Sequence, residues 1–458
     1  MGLHTALSGI RAAQTGLDTA SHNVANANTP GYTRQRVDLT TRNPYYSPVG
    51  LIGTGVDVAA IARARDAFLD ARARTLGAEF SWHDATAQLL RRTEAALGEP
   101  DQGLPRQLGA VWDAFEDLAL DPADSAARRQ VLSALDGFAA RVRGVAVGWD
   151  QLAADTGARL ADAVREADGL LSRVAELNRQ IADVSLRQPP PGDLLDQRDL
   201  AVDRVAALLG ATIGTGPDGM VTMSLPTGDG GGVTLVTGTS ARTLTVEGGT
   251  VRTVVDGAAL TVAPRGETGA LHAFLTETLP GRVAALDAFV SDLAAALNAQ
   301  HAAGRDAEGA PGGALFTFDP SAGAARSMRV SADVLGDPRR LAAGGPDATG
   351  PHDARNADAL AALRAAKVDG KPPFDGQLAA FVVELGARVA TARSTADAQA
   401  SLSVAATVAR QGAHGVSLDE EMVALVAYQR ALEAASRVMT AVDQALDVLV
   451  NRTGIVGR

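Results

Sequence analysis

At 458 residues the chain is longer than one hydrophobic core usually organises, which predicts two to four modules. Its 46% hydrophobic and 21% charged residues set aside a wholly disordered chain, and a net charge of -11 sets aside a nucleic-acid partner, which needs clustered cations against phosphate. Cysteine is absent, which removes disulfides, thiolate nucleophiles and zinc-thiolate sites together.

No stretch approaches the roughly 20 apolar residues that a bilayer-crossing helix needs, so no membrane partner is expected. Residues Met1 to Ile10 lack the basic and long apolar regions of a secretory signal, so the chain should be soluble at synthesis and not take the Sec route.

In chain order, Leu3, Leu7, Ile10, Leu17 and Val24 recur in four-three alternation, with Gln14 and Ser21 at the remaining places, which predicts a heptad-patterned helix. It should stop at Asn28-Thr29-Pro30-Gly31, because proline disfavours helix in the residue before it and Gly31 permits a turn. Tyr32 to about Ala62 reads as extended, with Val37 and Leu39 alternating with polar neighbours. Residues 61 to 187 predict long helices broken near Gly98 to Pro105 and at Asp121-Pro122, with Asp121 as a helix start. Within them Leu160, Val164, Ala167, Leu171, Val174, Ile181 and Val184 fall near three-four spacing, as in a helical bundle. Pro189-Pro190-Pro191-Gly192 should end the last helix, and Asp193 opens a shorter one through Leu209.

Ala211 to Gly269 turns rich in Gly, Thr and Val, and the short runs Met220 to Leu225, Val233 to Val236 and Leu260 to Val262 predict a small antiparallel β-module. Helical pattern resumes from Ala270 to about His301, a Gly/Pro/Asp-rich irregular stretch follows from Gly304 to Phe374, and helices fill the rest. Near the end Leu418, Met422, Leu425, Leu432, Met439, Val442, Leu446 and Leu449 form a second apolar stripe. Small residues beside the two stripes, such as Ala6, Ala13, Ala20, Ala427 and Ala434, would let paired helices approach closely.

Helices flank the β-module on both sides in sequence, so the chain should travel out and return with both termini at one end. The expected fold is mainly α with a β-module, an α+β multidomain chain. Its parts are a terminal coiled-coil domain (1–60 with 415–458), a helical bundle (61–210, 270–303 and 376–414), the β-module (211–269) and an irregular region (304–375).

Candidates for chemistry read as structure. The seven histidines have no pair at i, i+3 or i+4. Asp419, Glu420 and Glu421 read as first-turn carboxylates behind an N-cap at Ser417, with Glu420 completing a capping box. Gly228 to Gly232 reads as a hairpin turn, and Asp193, Asp196, Asp199 and Asp203, interleaved with Arg198 and Arg204, as a salt-bridged helix face. No catalytic, cofactor-binding or metal-binding residue is expected, and the chain reads as non-enzymatic.

The segments Ala6-Leu7-Ser8-Gly9-Ile10, Leu17 and Ser21-His22-Asn23-Val24-Ala25-Asn26-Ala27-Asn28-Thr29-Pro30-Gly31-Tyr32-Thr33-Arg34 resemble the motif shared by flagellar rod, hook and hook-associated axial proteins. Asp193-Leu194-Leu195-Asp196-Gln197-Arg198-Asp199 and Gly415-Val416-Ser417-Leu418-Asp419-Glu420-Glu421-Met422 resemble the hook-associated members that form the hook-filament junction. Tyr428-Gln429 through Arg437-Val438 and Leu449-Val450-Asn451 continue the likeness, and Asn298 with Gln300-His301 adds an internal one. Leu432 departs from the family, where an aromatic is common, and the chain is shorter than many members, so its outer domain should be reduced.

The resemblance implies a structural subunit required for filament assembly and motility, found outside the cell in the flagellum after type III export without a cleaved signal. The implied partners are copies of itself in a ring, the hook protein on one side, a second hook-associated protein on the other, and a cytoplasmic export chaperone on the carboxy-terminal helix. A hook or rod subunit is the alternative. The implied assembly interface comprises Leu3, Leu7, Ile10, Leu17, Asn23, Val24, Asn26, Asn28, Pro30, Gly31 and Tyr32 with Leu418, Met422, Leu425, Tyr428, Leu432, Met439, Val442, Leu446 and Leu449. Unpaired stripes are an aggregation hazard, so the termini are expected to stay disordered, and shielded by the chaperone, until assembly.

Overall fold

The computed structural model describes residues 2–48, 50–98, 103–186, 191–216, 218–319, 321–368 and 370–452. The helix breaks expected at Gly98 to Pro105 and Pro189 to Gly192, and the end of the expected terminal domain, lie partly outside the described residues.

Helix α1 (Gly2–Asn26) stops where the sequence predicts, in a turn whose Gly31 sits at φ 78°, a left-handed conformation that a Cβ would resist. Strands β1 (Gln35–Thr41) and β4 (Val56–Arg63) pair antiparallel, and between them in the chain β2 (Tyr45–Ser47) pairs with β3 (Gly50–Ile52). Helix α2 (Ala67–Ala95) starts on Asp66, whose carboxylate accepts from the N–H groups of Phe68 and Leu69.

Helix α3 (Leu104–Leu120) carries Pro105 in its first turn, where a missing N–H costs nothing, and packs on the 61-residue helix α4 (Ser125–Ser185). The N-cap of α4 is Asp124 rather than the expected Asp121. Pro122-Ala123 still form a turn, so the first free helical N–H groups, those of Ala126 and Ala127, fall within reach of Asp124, while Asp121 closes α3 and accepts from Ala123. Trp112, Phe115 and Leu118 of α3 meet Val131, Leu135, Phe138 and Trp149 of α4 in one buried cluster, and the expected stripe from Leu160 to Ile181 is buried further along.

Helix α5 (Gly192–Leu209) folds back on α4 and ends at Gly210. The β-module follows as two antiparallel sheets. The first runs β5 (Thr212–Thr215), β6 (Val221–Pro226), β7 (Gly232–Thr237) and β8 (Ser240–Ala241), and the second β9 (Leu244–Glu247), β10 (Thr250–Val255) and β11 (Ala258–Thr261). Gly228 to Gly232 forms the β6–β7 turn, as expected. Buried Asn178 of α4 pins the module. Its amide donates to the carbonyls of Val221 (2.9 Å) and Gly238 (2.7 Å), and its oxygen accepts from the Val221 N–H.

Helix α6 (Gly266–Ala273) runs through a π-turn at Phe274–Thr278 into α7 (Leu279–Ala303); the widened turn sits just before Pro280, which cannot donate to the ladder. The stretch expected to be irregular contains β12 (Phe316–Thr317), α8 (Ala324–Ser327), β13 (Arg329–Val330), α9 (Ala332–Gly336) and α10 (Arg355–Ala362). Polar side chains hold its loops to α7. Asn298 accepts from the N–H groups of Leu315 and Phe316, and His301 donates to the Gly313 carbonyl while accepting from the Ala342 N–H at 2.8 Å.

Helix α11 (Phe374–His414) returns antiparallel to α2, with Gly386 near Glu94 and His414 near Asp66. Helix α12 (Leu418–Asp447), continued by a π-turn at Val448–Arg452, packs along α1. Among the described residues no helix is long and apolar enough to cross a membrane.

Candidate assembly interface

Helices α1 and α12 are antiparallel neighbours in heptad register. Gly2 faces Val442, Gly9 faces Ala435, Gly16 faces Tyr428 and Asn23 meets Glu421, so each seven-residue step along α1 matches one along α12. A Cβ built on Gly16 would lie 2.5 Å from the Tyr428 ring, and one on Gly9 3.5 Å from the Ala435 Cβ. Close approach thus falls on glycines that the leucine-weighted reading passed over. The signal available was their seven-residue spacing.

The fully buried residues of α1 are small or polar: Ala6, Ser8, Ala12, Ala13, Gly16, Thr19, Ala20 and Asn23. Leu7, Ile10, Leu17 and Val24 are half-buried beside them, and Leu3 is exposed. On α12, Leu425, Tyr428, Leu432, Ala435, Met439 and Val442 form a half-buried three-four line toward α1, whereas Leu418, Met422, Leu446 and Leu449 are exposed. The second stripe is therefore covered only where α1 lies opposite: Leu446 and Leu449 continue its line beyond Val442, which already faces Gly2 at the start of α1, while Leu418 and Met422 turn away from the line. Val423, at 71% exposure, and Val426 and Val438 extend the uncovered face.

At its far end the seam closes on a polar joint. Asn23, 1% exposed, donates to the Gln35 carbonyl (2.8 Å) and Glu421 (3.1 Å) and accepts from the Tyr32 hydroxyl (2.7 Å) and the Gln35 N–H (2.9 Å). Burial first, then the carboxylates of Asp193, Asp196 and Glu421, push the Tyr32 phenol well above its ordinary range, so it stays protonated and donating. Asn26 bonds its amide to the His22 carbonyl and accepts from Thr29, which fixes the helix exit, while Asn28, Pro30 and Gly31 line a cleft beside Leu200 and His414.

The acidic run after Ser417 needs a correction. Ser417 does cap α12, accepting from the Glu420 N–H, but Glu420 does not reach back to complete a capping box. The β1 end brings Arg34 alongside, and a guanidinium outcompetes a neutral N–H for a carboxylate. Arg34 Nη1 donates to Glu420 and Nε to Glu421, each at 2.6 Å.

The acids of α5 are ion-paired, though mainly with partners from other elements. Asp196 and Asp199 accept from Arg63 (2.6 and 2.8 Å), Asp199 also pairs with Arg65, and Asp203 accepts from Arg74 (2.6 Å) and Arg410 (2.7 Å). Asp196 accepts the Thr33 N–H at 2.9 Å, and Asp193 takes His22 and Gln35. Arg198 turns the other way, to Asn178 and the Gly219 carbonyl, and Arg204 pairs with Glu166. Two backbone bonds complete the joint: the Arg34 N–H donates to the His414 carbonyl, and His414 Nε2 accepts from the Asp66 N–H.

Its acids are held by guanidinium groups, backbone N–H groups and, at Asp193, the side chains of His22 and Gln35, which suits fixing elements to one another. Among the described residues no group of three or more His, Cys, Asp or Glu is arranged to hold a metal ion.

The family described as "Flagellar hook-associated protein FlgK helical domain" matches residues 90–316, "Flagella basal body rod protein" matches residues 3–33, and "Flagellar basal body rod FlgEFG protein C-terminal" matches residues 412–452. The chain is similar to flagellar hook-associated protein 1 of Bacillus subtilis, 29% identical over 508 residues covering 100% of this chain and 99% of that one. The Escherichia coli protein of the same name is 23% identical, over 98% of this chain and 99% of its own. In fold it is similar to the flagellar hook junction protein FlgK of Burkholderia pseudomallei, with TM-score 0.66 and 18% identity over 75% of this chain and 100% of that one. The chain belongs to the flagellar hook-associated protein FlgK family, structural proteins of the bacterial flagellum.

Proposed function

We propose that the chain is the subunit of the hook-filament junction, and that its terminal helix pair is the surface through which copies associate. The observation that carries this is the division of α12. One line of apolar residues turns to α1, while Met422, Val423, Val426 and Val438 stay uncovered on the same helix. Met422, Val423 and Val426 lie within one turn of each other, and a monomer seldom leaves such a cluster to water unless another surface covers it. Its likeness to hook-associated proteins in sequence, and to a hook junction protein in fold, supports a place at the junction.

In this reading copies form a ring, with the hook protein on one side and a second hook-associated protein on the other. An export chaperone covers the carboxy-terminal helix until type III export, without a cleaved signal, delivers the chain outside the cell. The assembly set then includes the exposed Leu3, Leu418, Met422, Leu446 and Leu449 between copies, and the half-buried residues within one copy. The chain performs no catalysis.

Deletion of the gene, complemented by variants, tests this. Loss of motility with hooks present and flagellin shed into the medium is expected; missing hooks would favour a hook or rod subunit instead. Val423→Asp should leave the stability of the purified chain within about 0.5 kcal/mol of the parent yet fail to restore filaments. Leu425→Asp should fail on both counts, because it puts a carboxylate in the seam. Normal swimming with Val423→Asp would refute the exposed face as the contact between copies.

A further inference from the structure

Between α2, the end of α5 and strand β5 lies a cleft of about 920 Å³, large enough for a small organic group. Arg65, Arg74, Arg198 and Arg265 reach it. Arg65 is committed to Asp70 and Asp199, but the other three hold donors in reserve. Arg198 is 5% exposed, and its Nε–H has no hydrogen-bond partner among the described residues. Arg74 Nη2 is also without a hydrogen bond there, standing 3.7 Å from Asp199. Arg265, exposed at the mouth, makes no ion pair among the described residues.

Burial is the main cause that lowers the Arg198 pKa; Asp199 opposes it, and Arg63, Arg65 and Arg74 add to it. Buried donors left unpaired cost free energy that an acceptor entering the cleft would recover. Trp82, Ala78 and Ile213 add apolar surface to the lining.

We propose that this cleft binds a carboxylate carried on an apolar body. The planar guanidinium forks of Arg198 and Arg265 match a carboxylate in shape, and Trp82 would cover the body behind it. Asp70, Glu79 and Asp199 line the same cleft and leave it too weakly positive for a doubly charged phosphate. The carboxylate can come from a free organic acid or from an acidic side chain of a neighbouring protein.

Trp82 provides a reporter, because Trp112 and Trp149 are buried in the core and do not line the cleft. The full chain is titrated with butyrate, with a blocked peptide bearing one glutamate among alanines, and with inorganic phosphate, by fluorescence and calorimetry. Saturable binding of a carboxylate probe is expected, with a change in emission that Trp82→Phe removes while the heat persists. Arg265→Ala should weaken that binding about tenfold or more without altering the circular dichroism, since its side chain is exposed and unpaired. Tighter binding of the peptide assigns a protein side chain as the occupant, and tighter binding of butyrate a free acid. No saturable heat from either probe, phosphate binding tighter than both, or affinities untouched by Arg265→Ala would overturn the proposal.

Discussion

Replacing Gly16 by alanine should loosen the α1–α12 seam, whereas the same change at Gly9 should tighten it. Within a helix the exchange gains about 1 kcal/mol, because alanine loses less backbone freedom than glycine. At position 9 the new methyl would meet the Ala435 Cβ at 3.5 Å, an ordinary contact, so the gain should survive. At position 16 it would lie 2.5 Å from Tyr428 Cε1, and the ring must shift. Overpacking of this kind costs about 1–3 kcal/mol, leaving a net loss of up to about 2 kcal/mol. Amide exchange along α1 in the assembled protein, where the termini are ordered, measures this directly, because local opening sets the rate. Gly9→Ala should slow exchange about fivefold, and Gly16→Ala should speed it by up to about 30-fold. In a Tyr428→Ala background the sign at position 16 should reverse, since the ring that opposes the methyl is gone. Equal slowing by both alanines would refute the seven-residue register of the two helices.

Asn23→Asp sets a carboxylate oxygen where the amide now stands 3.1 Å from Glu421, a repulsion of about 5 kcal/mol at an effective dielectric near 20. The folded pair then holds a proton above the ordinary carboxylate range, so the variant should regain stability as pH falls through that raised value; a melting profile parallel to the parent's would contradict this. His301 and His414 are both held below the ordinary 6.5, burial being the largest cause, so below that pH the unfolded chain binds more protons than the folded one. The free energy of urea unfolding should therefore fall between pH 6.5 and the lower folded values, by up to about 1.4 kcal/mol per pH unit for each histidine, and a rise on acidification would count against it. Asp199→Asn should cost about 2–3 kcal/mol. That is less than a fully orphaned buried pair, because Arg63 keeps Asp196 and Arg65 keeps Asp70, and an unchanged denaturant midpoint would contradict the ionic joint.

What the sequence made legible was what neighbours along the chain decide. The stop at Pro30-Gly31, the Leu160 to Ile181 stripe and the alternating strands of the β-module each follow from residues within a few positions of one another. Asp124 displaced Asp121 as a cap by only one turn, an error of the same short range. The joint is different in kind. Asp199 meets Arg63 across 136 positions and Glu421 meets Arg34 across 387, so no local pattern names the partners. The acids on α5 show as a charged face, but which arginines answer them depends on where the β1–β4 hairpin and α11 return. The Gly304 to Phe374 stretch looked irregular because its order comes from side chains on α7, Asn298 and His301, bonding to loop backbone.

The seam and the joint form one device, because Asn23 and Glu421 belong to both. Asn23 is the last small residue of the Gly2, Gly9, Gly16 series and also the hub that binds Tyr32 and Gln35. Swinging the terminal pair relative to the bundle would break the bonds from the Thr33 N–H to Asp196 and from the Arg34 N–H to His414, besides the Arg34–Glu421 pair. Two of these donors are backbone groups in a single turn between α1 and β1, and the Arg34 N–H to His414 carbonyl bond, backbone to backbone, cannot be released by any side-chain rotation. The orientation of the helix pair is thereby tied to α5, α11 and the hairpin at once.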